Sequence, residues 1–244
     1  MISIFIPIRS GSKRIKNKNF RNLPNLKFGL TELKLIQLEK LRNIIKKKKN
    51  FDFKKLEIIV STNCKKIKSF VKRYSWIKLH ERNAKLSTDD SVDELIKEVP
   101  KICSEKYILW THVTSPLFDQ YDYFNFIKYF FRLRKSKKIL SAFSADKIQK
   151  FLFSKRKKKW ISHNIKNRKW PRTQDLNELY YANSAVFMAS RNVYLKYDNR
   201  LCNSPHPITT DLNHESGFDI DNIEDFNKLK EKILYDKKFK FLQR

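Results

Sequence analysis

Glycine, cysteine and proline are all scarce in this 244-residue chain, and each scarcity excludes something. Three glycines and seven prolines rule out collagen-like sequence and flexible low-complexity linkers. The three cysteines, Cys64, Cys103 and Cys202, are odd in number, far apart and outside any CxxC spacing. That argues against a disulfide scaffold and a thiolate zinc site, fits a reducing compartment, and sets the expectation of a cytoplasmic protein. Carboxylates are few: 25 Asp plus Glu face 54 Lys plus Arg, a formal net charge of +29. No apolar run approaches the roughly 20 residues that span a bilayer. The opening MISIFIPIRSGSKR puts its positive charge after a short apolar stretch, the reverse of a secretory signal, so no membrane insertion is expected.

What is abundant is aromatic bulk. Nineteen Phe, ten Tyr and four Trp give a charged chain the means to bury a core, which a disordered chain lacks. The positive charge has two readings. One is a compositional bias toward Lys; the other is nucleic-acid binding, suggested by Lys46 to Lys49, Arg156 to Lys159 and interleaved aromatics. Nothing resembles an RRM, a zinc finger or another recognition module, so no specific nucleic-acid partner is expected beyond nonspecific attraction to polyanions.

Along the chain, short apolar β-branched runs alternate with helical periodicities. Strands are expected at Ile2–Ile8, Leu56–Ser61, Trp76–His80, Tyr107–Trp110, Ile139–Ser144 and Ser184–Ala189. Helices are expected at Thr31–Ile45, Cys64–Tyr74, Asp90–Val99 with a stop at Pro100, Tyr121–Arg134 and Ile223–Leu234. Strand, polar loop and helix in repetition require an α/β fold with a mainly parallel sheet covered on both faces. The pattern fails from 146 to 180, an excursion or dimerisation arm too short to bury its own core. The basic aromatic tail KKFKFLQR has no assigned role.

Three stretches can carry chemistry. Arg9-Ser-Gly-Ser-Lys13-Arg14, with Lys18 and Asn19 following, is a loop after a strand where Gly11 allows a tight turn, N–H groups can cradle a phosphate, and cations oppose its charge. It is neither a GxxxxGK[ST] nor a GxGxxG loop. Phe218-Asp219-Ile220-Asp221, if extended, aims two carboxylates the same way, an arrangement for Mg²⁺ and its phosphates. Asp221 with Glu224 also has capping-box spacing, so Asp221 alternatively only starts the last helix. The third, Trp110-Thr-His112-Val-Thr114-Ser115-Pro-Leu117, lies at a strand end, where sheet enzymes gather their sites.

Taken in order, these stretches resemble the acylneuraminate cytidylyltransferase (CMP-sialic acid synthetase) family, related to the Kdo cytidylyltransferases. IPIRSGSKRIKNKN resembles its opening nucleotide loop, IIVSTN its second strand with STD, and ERNAKLSTDD its RPxxLAxD stretch. VTSPL resembles PTSPL, YYANSAVF resembles the NGAxY segment, and FDIDNIEDF resembles DIDxxxDF. The resemblance implies a nucleotide-diphospho-sugar-transferase-like three-layer sandwich with a mainly parallel mixed sheet, one domain over 1–244, and a homodimer. It implies a Mg²⁺-dependent enzyme joining CTP to a 2-keto sugar acid, a nonulosonic acid, to give the CMP-sugar and pyrophosphate for surface-polysaccharide biosynthesis. Arg9, Ser12, Lys13, Lys18 and Asn19 then hold the nucleotide, Arg82 stands beside the cytidine pocket, and Asp89 takes the family's acidic place. His112, Thr114, Ser115, Arg172 and Asn183 line the sugar side, and Asp219 and Asp221 hold Mg²⁺. Arg9, Lys18, Asp219 and Asp221 are the catalytic set; the alternatives are a nucleotidyltransferase for another sugar acid, or a member of the family that has lost activity and serves as a scaffold, against which the retained charges of these four residues argue.

The chain departs from the family at four places. His112 stands where Gln precedes PTSPL, Asn63 replaces the Asp of STD, Ser184 replaces the Gly of NGA, and Tyr181 falls near an Arg expected to meet the sugar carboxylate. Without that Arg, the acceptor is expected to differ from N-acetylneuraminate, or its carboxylate to be met by Arg172 or Lys169.

Overall fold

The computed structural model describes residues 1–48, 56–88, 90–209 and 215–243. Seven strands form one sheet: β1 (Ile2–Ile8), β2 (Leu56–Thr62), β3 (Ile77–Glu81), β4 (Tyr107–Thr111), β5 (Ser141–Ile148), β8 (Leu179–Ser190) and β9 (His206–Ile208). Their order is β3-β2-β1-β4-β8-β5-β9, with β8 antiparallel to β4 and β5 and every other pairing parallel. A hairpin of β6 (Phe153–Ser154) and β7 (Lys159–Trp160) stands apart, between β5 and β8.

The pleat explains the layers. Ile2, Ile4, Ile6 and Ile8 point to one face and Phe5 to the other, and all are fully buried. The isoleucines join the cores of α1 (Gly29–Lys47), α2 (Lys65–Val71), α4 (Gln120–Lys137) and α6 (Ile223–Tyr235) through Leu30, Ile67, Phe126 and Phe226. Phe5 packs with Ile59, Ile108 and Trp110 against α3 (Val92–Ile102) and α5 (Arg191–Tyr197), which contribute Leu95, Val99 and Tyr194. Each such large aliphatic side chain contributes about 1.5–3 kcal/mol by leaving water. The result is a three-layer α/β sandwich with a mixed, mainly parallel sheet.

Several boundaries differ from those read in the sequence. α3 runs through Pro100 to Ile102. The proline lacks an N–H for the preceding turn, yet it lies in the last turn and shares a buried face with Leu95, Ile96 and Val99, which outweighs the lost bond. β5 begins at Ser141, because Lys138 ends α4 in the left-handed region and the Ile139 carbonyl accepts a bond from Arg134. It runs on to Ile148 because β8 pairs with it back to Leu179. The basic tail is a short 3-10 turn, Lys237–Leu242, that buries Phe239 and Leu242. No helix among the described residues is long and apolar enough to cross a membrane.

Candidate active site

The order in which strands are added to the sheet reverses between the parallel neighbours β1 and β4: β2 and β3 lie on one side of β1 and β4 on the other. Loops leaving the ends of two parallel neighbours diverge there and leave a crevice, the usual ligand position in open α/β sheets. The loop after β1 (residues 9–17) and the loop after β4 (112–119) border a cleft of about 530 Å³. Arg9, Ser12, Lys13, Arg14, Lys18 and Asn19 line one side; Arg82, Leu86, Thr88 and Ser91 line another; His112, Thr114, Ser184, Arg200 and Asp219 complete it.

The opening loop is fixed by its own polar atoms. The Asn19 amide donates to the Arg9 carbonyl at 3.0 Å, and the Ser10 N–H donates to Asn63 Oδ1 at 3.0 Å. Asn63 therefore supplies an acceptor oxygen as the family's Asp can. Lys18 Nζ donates to the Ile220 carbonyl at 2.6 Å, and the Ile220 N–H donates to the Thr114 carbonyl at 2.8 Å. Three segments far apart in sequence are thereby stitched at one place. Burial lowers the Lys18 pKa, and the neighbouring Asp219 opposes that shift.

Asp219 and Asp221 have different surroundings. Asp219 lines the cleft, and its Oδ1 is buried with no hydrogen-bond partner among the described residues. Burial raises its pKa, against a hydrogen bond from the Thr114 side chain. Asp221 is exposed and meets Arg14 at 2.8 Å. The capping alternative for Asp221 does not hold: Asn222 caps α6 in a capping box with Asp225, and Asp221 precedes it. A buried carboxylate oxygen on a cleft wall suits a hard divalent cation, which commonly takes one or two carboxylates and completes its shell with phosphates and water; Asp221, the other expected ligand, is not among the residues that line the cleft. The Arg14–Asp221 pair is solvent-exposed and worth at most about 1 kcal/mol, so it is easily exchanged.

Arg82 is held by Ser61, through Nη2 to the carbonyl at 2.5 Å and Nε to the hydroxyl at 3.2 Å. Burial, and then Arg9, lower its pKa to about 10, which leaves it charged at neutral pH. His112 accepts the Trp110 indole N–H on Nε2 at 2.9 Å, so its remaining proton sits on Nδ1. Burial first, then Arg200, hold its pKa down to about 3, so the ring is a neutral donor rather than a base awaiting a proton.

The structure does not bring every expected residue to the cleft. Arg172 is exposed and bonded to Asp175 at 3.1 Å, away from the cleft lining. Asn183 is buried, engaged with Ser144 at 2.6 Å and Asp146 at 3.1 Å, and is not among the residues that line the cleft. Ser115 presents its carbonyl to the buried Lys34 at 2.9 Å, while its hydroxyl is buried and unpartnered among the described residues. It holds the loop and does not line the cleft. Asp89 lies outside the described residues. Sequence reading missed Arg200, which follows α5 with no motif around it, and Ser91, whose polar role is invisible in a helix-start pattern.

Among solved structures, the chain is similar to a CMP:2-keto-3-deoxy-manno-octonic acid synthetase complexed with CTP, at 12% identity and TM-score 0.59, over 96% of this chain and 98% of that one. It is similar to the 4-diphosphocytidyl-2C-methyl-D-erythritol synthase of Anaerococcus prevotii, at 14% and 0.59, over 96% and 98%. A cytidylyltransferase from Leptospira borgpetersenii matches at 16% and 0.54, over 96% and 87%. These likenesses concern the fold. No curated protein matches the chain. The model of the cytidylyltransferase family matches residues 3–239, nearly the whole length, and the chain belongs to that family.

Proposed function

We propose that this protein is a Mg²⁺-dependent cytidylyltransferase that joins CTP to a 2-keto sugar acid of the nonulosonic type, as the acylneuraminate enzymes do. The anomeric hydroxyl oxygen of the acid bonds to the α-phosphorus, the bond from that phosphorus to the bridging oxygen breaks, pyrophosphate leaves with the electron pair, and the hydroxyl proton goes to solvent. The observation that carries this reading is the buried Asp219 oxygen, unpartnered among the described residues, in a cleft that Arg9, Lys13 and Lys18 also line.

Each group then has a task. Arg9, Ser12, Lys13, Lys18 and Asn19 bind the triphosphate, and the cations offset charge that grows on pyrophosphate as it departs. Arg82, with Thr88 and Ser91, borders the base. His112 and Thr114 face the acceptor. Asp219 and Asp221 would hold Mg²⁺, which when bound neutralises phosphate charge and acidifies a bound hydroxyl. With His112 Nε2 occupied by the Trp110 N–H and its own proton on Nδ1, no side chain is assigned as general base.

A homodimer through the 149–178 segment belongs to the same proposal. Phe153, Ile165 and Trp170 are exposed there, although Phe153 and Trp170 each pack edge-on against Trp160, and a second copy would cover them. The three free, buried cysteines suit a cytoplasmic location.

The test is pyrophosphate release with CTP, Mg²⁺ and a panel of 2-keto sugar acids and neutral sugars, with UTP, GTP and ATP in parallel. Release requiring both CTP and one acid is expected. Equal release with the other nucleotides, or release only with acceptors that lack a carboxylate, would overturn the reading.

A further inference from the structure

We propose that Arg200 is the residue that binds the acceptor's carboxylate, with the neutral His112 beside it as a second donor; this rests on the 2-keto-acid reading above. Arg200 lies in the connection between α5 and β9, outside every motif of the sequence, yet it lines the cleft. Its guanidinium stacks on Phe187 of β8, with Cζ 3.6 Å from the ring centroid, and stands 5.1 Å from that of Trp110 on β4. Two ring faces on neighbouring strands thus fix the plane of the fork.

Among the described residues, Arg200 forms no ion pair and no hydrogen bond. The acidic groups it senses are Asp93, which is exposed, and the neutral Tyr194 hydroxyl. Arg82 contrasts with it, since three bonds to Ser61 and Leu86 occupy that guanidinium. A cation drawn partly out of water without a partner is costly, and an anion delivered by a ligand removes that cost.

Position selects which anion. The triphosphate has its own cationic wall in Arg9, Lys13 and Lys18. Arg200 instead neighbours His112: the ring on which Arg200 stacks, Phe187, has its centroid 6.5 Å from that of His112, and both Arg200 and His112 line the cleft. Trp110 fills His112 Nε2, leaving Nδ1–H to donate. A planar fork and one ring N–H are suited to the two oxygens of a carboxylate. Neither Arg172, paired with Asp175 away from the cleft, nor the residue at Tyr181 offers this.

The test compares wild type, Arg200→Gln and Arg200→Lys. It measures KM for the 2-keto sugar acid that wild type uses, with N-acetylneuraminate and 3-deoxy-manno-octulosonate among those screened. It also measures KM for the carboxamide of that acid, and the calorimetric Kd for CTP alone. Arg200→Gln is expected to raise the acid's KM by about 10- to 100-fold, to erase the preference for acid over amide, and to leave the CTP Kd unchanged. Arg200→Lys should fall between. An unchanged KM for the acid in Arg200→Gln overturns the assignment while leaving the enzyme reading intact. A weaker CTP Kd with an unchanged acid KM makes Arg200 a nucleotide contact and also overturns it. Turnover of no acid by wild type is a different result: it overturns the enzyme reading and this assignment with it.

Discussion

Lys18 Nζ donates to the backbone carbonyl of Ile220 at 2.6 Å, a bond that joins the first loop of the chain to the Asp219–Asp221 segment across 202 residues. The same lysine stands close enough to Asp219 for the two to shift each other's pKa values in opposite senses. One side chain therefore positions the acidic segment and contributes a cation to the wall on which phosphates are proposed to lie. Thr114 completes the arrangement from the β4 side, through its carbonyl to Ile220 and its side chain to Asp219.

The two aspartates should separate on mutation. Asp219→Asn removes the buried acidic oxygen, and a loss of about 10²- to 10³-fold in kcat is expected, with a raised Mg²⁺ requirement. Asp221→Asn, at an exposed position paired with Arg14, should cost less, about tenfold, and be partly recovered at high Mg²⁺. Steady-state rates across a Mg²⁺ titration check this. Equal rates for wild type and Asp219→Asn at every Mg²⁺ concentration would contradict it.

His112 makes a prediction about pH. The folded ring resists protonation to about pH 3, while the unfolded ring takes a proton below its ordinary value near 6.5. The unfolded state thus binds more protons between those values, so the stability His112 contributes is complete above about pH 6.5 and is lost as pH falls toward 3. Urea unfolding of His112→Gln should show a shallower loss between pH 7 and pH 5 than wild type. Identical slopes would show that His112 titrates normally in the fold.

Lys34 is a fully buried lysine on α1 that bonds to the Ser115 carbonyl at 2.9 Å, the Phe118 carbonyl at 3.2 Å and the Tyr123 hydroxyl at 2.8 Å. Burial brings its pKa down to about 7. Lys34→Met strips three acceptors of their donor and should destabilise by about 2–4 kcal/mol. Because the unfolded lysine keeps its proton to about pH 10.5, wild-type stability gains from this group as pH rises from 7, and the variant should lose that gain. Unfolding midpoints at pH 7 and 9 decide it; an unshifted midpoint at both would contradict the account.

Ser184 sits at φ 62, a left-handed conformation that favours glycine, at the place where the resembling family has one. Ser184→Gly should therefore raise stability by up to about 1 kcal/mol. A loss of stability in thermal unfolding would show that the serine hydroxyl matters more than its backbone strain.

The sequence made some features readable and left others hidden, for physical reasons. β1, β2 and β4 are short apolar runs buried on both faces, which leave a continuous hydrophobic signal, and the loops after β1 and β4 carry polar residues dense enough to stand out. Asp219 and Asp221 could be paired by spacing. Their unequal environments could not, since one is set by Thr114 and Lys18 and the other by Arg14. Pro100 misled because its burial in the last turn of α3 is a tertiary fact. Arg200 was invisible because its role comes from Phe187 and Trp110, which β4–β8 pairing places beneath it. Arg172, expected at the sugar, is held at Asp175 by a bond three residues along the chain.

Cytidylyl transfer by this protein is tested by a ³¹P NMR time course of the purified protein with CTP, Mg²⁺ and its 2-keto sugar acid. The three CTP resonances should fall together while one phosphodiester resonance and pyrophosphate rise in equal amounts, and omission of the acid should stop all change. Conversion of CTP to CDP and inorganic phosphate, or loss of CTP at the same rate without the acid, would contradict it.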